Sequence, residues 1–65
     1  MQELINGAHV IEKTGDIVIA IWERPPKVEY VTWAVDALGN TFSGHYFTNL
    51  IDACEDYIKR AKKGY

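Results

Sequence analysis

Residues 28–47 read VEYVTWAVDALGNTFSGHYF, residues 48–61 read TNLIDACEDYIKRA, and the spacing of apolar side chains changes where the two stretches meet. In the first, apolar and polar residues alternate, as they do along a strand with one buried face. In the second they recur three and four positions apart, the spacing of one side of a helix. Leu38-Gly39-Asn40 interrupts the alternation with turn residues, so two strands, 28–36 and 41–46, precede a helix over 49–61. Upstream, strand 17–24 is rich in β-branched residues and ends at Pro25-Pro26, because neither proline can donate to a ladder. Strand 8–13 reaches it through the turn at Thr14-Gly15. The expected fold is α+β, a four-stranded antiparallel β-meander packed on one C-terminal α-helix.

At 65 residues the chain is expected to form a single small domain, 1–65, with a thin core. Residues 1–7 are expected to be a frayed N-terminus, in which Glu3-Leu4-Ile5 before Asn6-Gly7 fits either a helical turn capped by Gly7 or a hairpin arm. Residues 62–65 are expected to be a basic C-terminal tail.

Residues opposite each other in an antiparallel pair share a face, which lets the registers be checked against one another. Pairing Val10 with Ile19, Ile21 with Val31, Ile19 with Trp33 and Val35 with Phe42 is mutually consistent. It gathers Val10, Ile17, Ile19, Ile21, Val31, Trp33, Val35, Phe42 and Tyr46 on one face, the one expected to meet the helix. Gly44 then falls opposite Trp33, where its missing side chain leaves room for the indole, and Gly44→Val is expected to crowd the core. On the helix, Leu50, Ile51, Cys54, Tyr57, Ile58 and Ala61 are expected to face inward with Ala53 at the flank. Asp52, Glu55, Asp56, Lys59 and Lys62 or Lys63 are expected to point away. Thr48 or Asn49 is the expected N-cap, Asn49 and Asp52 forming a capping box, and Gly64 the stop.

The net charge is −2, yet Lys59, Arg60, Lys62 and Lys63 all lie in the last seven residues, leaving −6 for the rest. Asp52, Glu55 and Asp56 near the helix start and the four cations near its end each complement the helix dipole. The longest apolar run, residues 17–22, is far short of the ~20 residues that a membrane span needs, and no basic segment followed by an apolar one opens the chain. A soluble, cytoplasmic protein without membrane contact is expected.

The lone Cys54 allows no internal disulfide and leaves too few ligands for structural zinc. It sits in the helix's apolar stripe, where a thiol serves as a small hydrophobe, and His9 and His45 fall on the other sheet face. Those two histidines are on the outer strands, roughly 14 Å apart at the spacing of sheet strands, too far to share one ion. No carboxylates converge, and Gly39, Gly44 and Gly64 stand alone rather than forming a phosphate loop. The chain is therefore read as not an enzyme, with no metal, no cofactor and no small-molecule substrate.

The same registers leave a second sheet face of His9, Ile11, Lys13, Val18, Ala20, Trp22, Tyr30, Thr32, Ala34, Ser43 and His45, without a carboxylate. A face meant for water alone would alternate charges. Trp22 opposite Tyr30, with Thr32, His45 and Arg24 around them, makes this face the candidate contact surface. It suits a symmetric dimer in which two sheets stack, nucleic-acid binding with Trp22, Tyr30 and His45 as stacking groups, or local packing of its own aromatics. Lys59, Arg60, Lys62 and Lys63 are the candidate basic tail.

Trp33-Ala34-Val35-Asp36, Gly39-Asn40, Gly44-His45-Tyr46-Phe47, Ala53, Tyr57 and Ala61, spread over residues 28–62, together resemble the strand-strand-helix half of the ethylene-response-factor DNA-binding domain. They are also similar to the N-terminal domains of tyrosine recombinases. The resemblance implies a sheet laid in the major groove and braced by the helix, with arginines and tryptophans projecting from the strands. Only Trp22 and Arg24 could take that part here, and phosphate contacts would have to overcome an acidic body. The reading reached is a small non-enzymatic accessory or interaction module, acting through the open aromatic face. Its expected partner is itself, as a homodimer, or another protein, and nucleic-acid binding is the alternative.

Overall fold

The computed structural model describes residues 2–3 and 7–63. Its elements are β1 (Gln2–Glu3), β2 (His9–Thr14), β3 (Ile17–Arg24), β4 (Lys27–Val35), β5 (Thr41–Phe47) and α1 (Leu50–Lys63). All neighbouring strands are antiparallel and run in sequence order across one sheet. The four-stranded meander with a C-terminal helix is thus present, as β2 to β5 and α1, and the two-residue β1 adds to the free edge of β2. Of the N-terminal alternatives, Leu4, Ile5 and Asn6 lie outside the described residues, as does the stop at Gly64. Lys62 and Lys63 are not a separate tail but the last residues of α1.

The hairpin loops set the registers. Thr14 pairs with Ile17 and Arg24 with Lys27, so Gly15-Asp16 and the cis-linked Pro25-Pro26 are both two-residue loops. Gly15 has φ +59°, as the first loop residue of a type II′ turn requires. Between β4 and β5 the Asp36 carboxylate accepts the Leu38 and Asn40 backbone N–H groups, each at 2.9 Å, and the Asn40 side-chain amide at 3.1 Å.

All four expected residue pairings are corrected: Val10 lies opposite Ala20, Ile21 opposite Tyr30, Ile19 opposite Thr32 and Val35 opposite Thr41. Ile19 lies opposite Thr32 and Ala20 opposite Val31, one residue out of the expected register, because the Pro-Pro loop holds two residues rather than three. A one-residue slip turns every side chain of one strand to the other face. Val31, Trp33 and Val35 therefore sit on the face away from α1, and Tyr30, Thr32 and Ala34 on the face beneath it. In β2 an irregularity between Val10 and Glu12 places Val10 opposite Ala20, so it too leaves the helix side. In β5 an extra residue lies between Phe42, opposite Ala34, and His45, opposite Thr32. Beyond that bulge the expected register is restored.

Both faces of the sheet are consequently buried. Ile17, Ile19 and Ala34 pack with Ala53 and Tyr57 of α1, and Tyr30, Phe47 and Cys54 close the edges of this layer. On the other side Ala8, Val10, Val18, Ala20, Val31, Trp33 and Val35 form a second cluster, with Trp22 packed against it. The face away from the helix thus has a packed apolar floor, with Trp22 half-buried and Tyr46 53% exposed above it.

Helix α1 begins as expected: Asn49 Oδ1 accepts the Asp52 N–H and Asn49 Nδ2 donates to the Asp52 carboxylate, both at 2.9 Å. Its rotation is a correction. The buried positions are Ala53, Tyr57 and Arg60, while Leu50, Ile51 and Ile58 are exposed, Ile51 to 73%. The Tyr57 hydroxyl reaches Thr14 Oγ1 at 2.5 Å, and Asp56 and Arg60 both engage Thr32. Polar partners, rather than the apolar stripe alone, set which side faces the sheet.

Candidate functional site

Trp22 of β3, Trp33 of β4 and Tyr46 of β5 meet on the face away from the helix. Ring centroids are 5.3 Å apart for the two indoles, edge to face, 6.1 Å for Trp33 and Tyr46, also edge to face, and 6.3 Å for the stacked Trp22 and Tyr46. All three separations fall in the range in which aromatic rings attract beyond simple burial. Trp22 is opposite Glu29 and Trp33 opposite Val18, so the indoles lean toward each other over Ala20 and Val31, both wholly buried. Gly44 makes this possible: a Cβ there would lie 2.6 Å from Trp33 Nε1 and 2.9 Å from its Cδ1. The expected placement of Gly44 against Trp33 is what the structure has.

Trp33 is 3% exposed, whereas Tyr46 is 53% exposed and Trp22 is half-buried, so the cluster has a buried floor and two accessible rings. Arg24 lies over the Trp22 ring, Cζ 3.9 Å from the centroid, and pairs with the Glu29 carboxylate. The guanidinium thus covers indole surface on which a nucleic-acid base would stack. At the other end of the same face, Leu38 rims a cleft of about 260 Å³ that also touches Lys13, Val18 and Val35.

The five contact residues expected from the sequence are divided by the register. Trp22 and Arg24 are on the aromatic face; Tyr30 packs beneath the helix, Thr32 is wholly buried there, and His45 is tied to the helix. Trp33, Tyr46 and Glu29 were missed as members of the cluster. A two-residue reading of the Pro25-Pro26 loop would have found them, since it pairs even positions of β3 with odd positions of β4.

A second constellation lies between sheet and helix. Thr32 Oγ1 donates to Asp56 Oδ2 at 2.5 Å and accepts from Arg60 Nη1 at 3.1 Å; the same Nη1 donates to the Thr32 carbonyl at 2.9 Å. His45 Nδ1 lies 2.9 Å from Asp56 Oδ2. Burial pushes the Asp56 carboxyl up, but hydrogen bonds from Thr32 and His45 and the charges of His45 and Arg60 outweigh it, and the net result lies below the usual value. Of the expected basic tail, Arg60 is therefore a buried structural residue, and Lys59, Lys62 and Lys63 remain exposed.

Among the described residues no three His, Cys, Asp or Glu side chains come together as metal ligands, and no helix is long and apolar enough to cross a membrane. Compared with known proteins, the chain matches no family model, no curated sequence and no solved structure.

Proposed function

We propose that this chain is a non-enzymatic interaction module that pairs with a second copy of itself through the Trp22, Tyr46 and Arg24 patch. The observation that carries the reading is the exposed Tyr46 ring stacked with Trp22 over a buried Trp33. Trp, Tyr and Arg are the residue types that most often dominate binding energy at interfaces, above all where rigid packing presents them without further ordering cost. A chain of 65 residues, with little core of its own, gains by burying such a patch against its copy. A cytoplasmic setting belongs to the same reading, in keeping with a single unpaired thiol, Cys54.

Sedimentation equilibrium of the parent, Tyr46→Ser and Ile51→Lys tests it. Tyr46→Ser removes the accessible ring, and Ile51→Lys charges the exposed outer side of α1 instead. The expected outcome is a dimer for the parent and for Ile51→Lys, and a monomer with an unchanged circular dichroism spectrum for Tyr46→Ser. A monomeric parent at high concentration, or a dimer broken only by Ile51→Lys, would remove the aromatic patch from the function.

A further inference from the structure

We infer that the cleft between β5 and the last turns of α1 binds a phosphorylated ligand that carries a planar ring, the chemistry of a nucleotide. The cleft, of about 360 Å³, is walled by Phe42 of the sheet and by Lys59 and Lys63 of the helix, and Arg60, Asp56 and His45 also line it. That volume is in the ordinary range for a small-molecule site.

The charge there runs against the whole molecule. Lys59, Arg60 and Lys63 supply three cations against the single carboxylate of Asp56, in a chain whose net charge is −2. Asp56 offsets one of these charges, and its Oδ2 is engaged by the Thr32 hydroxyl at 2.5 Å and by His45 at 2.9 Å, so the cations still outnumber the carboxylate at the cleft. Helix-dipole compensation accounts for cations near this end of α1, but not for their side. Lys59 and Lys63 are one turn apart, four residues, and like charges so placed repel and weaken a helix. A dianionic phosphate between them turns that repulsion into two charge-assisted contacts.

Phe42 supplies the other half of the ligand. It lies opposite Ala34, too small to cover it, and its ring is 53% exposed at the rim of the basic cleft. An exposed ring beside lysines is the arrangement on which a base stacks while its phosphate is held.

Isothermal titration calorimetry at low salt, with adenosine monophosphate, inorganic phosphate and a single-stranded oligothymidylate as probes, tests the assignment. The nucleotide is expected to bind, at least tenfold more tightly than inorganic phosphate. Lys59→Gln with Lys63→Gln, and separately Phe42→Ser, are each expected to weaken binding at least tenfold, with circular dichroism and the urea midpoint confirming that these exposed substitutions leave the fold intact. Tighter binding of the oligonucleotide than of the mononucleotide identifies a single strand as the source of the phosphate; the reverse identifies a free nucleotide. Absence of heat with every probe, affinity untouched by the lysine changes, or equal binding of nucleotide and inorganic phosphate would overturn the inference. None of these results depends on whether Tyr46 mediates pairing.

Discussion

Ser43 and Gly44 are neighbours in β5 with opposite demands. Ser43 holds φ +53°, the left-handed region that costs a non-glycine residue about 1–2 kcal/mol, because it is the extra residue of the bulge. Gly44 has ordinary backbone angles but no space, with Trp33 pressed against it and Tyr46 Cε1 3.2 Å from where a Cβ would stand. Ser43→Gly is therefore expected to raise stability by roughly 0.5–1 kcal/mol, the strain relieved less the entropy a glycine loses on folding. Gly44→Ala is expected to lower it by about 1–3 kcal/mol, and Gly44→Val further, since a 3%-exposed indole cannot swing away. Urea unfolding must move the midpoint of Ser43→Gly opposite to that of Gly44→Ala; a shift of the same sign in both would mean that the bulge is elsewhere. The contact of Gly44 with Trp33 was legible in the sequence because the bulge returns β5 to the simple register before Gly44. The bulge itself was not, as Ser43 carries no mark of a left-handed residue.

At the scale of elements, the strands and the helix could be read from periodicity, but their orientations could not. Each depended on something periodicity does not encode: the number of residues in the Pro25-Pro26 loop for β4, and polar partners across the interface for α1. The apolar stripe of Leu50, Ile51, Cys54 and Ile58 pointed to one rotation, while the pairing of Tyr57 with Thr14 and of Asp56 and Arg60 with Thr32 enforces another. Arg60 at three residues beyond Tyr57 and seven beyond Ala53 shares their side of the helix, yet a cation among lysines reads as solvated. The observed rotation makes Thr32 the costly position. Thr32→Val keeps the shape and removes the hydroxyl, leaving Asp56 without that donor and Arg60 with the carbonyl alone, at an expected cost of about 1–3 kcal/mol. Ile51→Gln, on the stripe that the sequence turned inward, is expected to change stability by less than about 0.5 kcal/mol. Chemical denaturation measures both. The reverse ranking would restore the rotation read from the apolar stripe.

Over the whole molecule, the meander-plus-helix architecture followed from the order of the elements, and it is indifferent to which face each strand shows. The site is not, and the same register that turned Tyr30, Thr32 and His45 away from Trp22 and toward α1 made Thr32 the hub on which sheet and helix meet. That hub ties folding to pH. Asp56 is held below the usual carboxylate value as already described, and Asp36 is too, first by the Asn40 backbone N–H and then by the Asn40 side chain. A carboxyl whose value is lower folded than unfolded binds fewer protons in the native state, so its contribution is complete above the unfolded value and is lost as pH falls through the folded one. The contribution of these two carboxyls is expected to be complete at about pH 5 and to decline below ~4, the ordinary carboxylate range. The part due to Asp56 is separable by comparing the parent with Asp56→Asn in urea at each pH. At pH 7 the parent is expected to be the more stable, because its ionised Asp56 faces the Arg60 guanidinium and the Thr32 hydroxyl; as pH falls through the lowered value of Asp56 the two curves converge, since the parent's carboxyl takes up its proton and resembles the amide. A gap that stayed constant from pH 7 to pH 2.5 would show that the charge on Asp56 contributes nothing to holding α1 against the sheet.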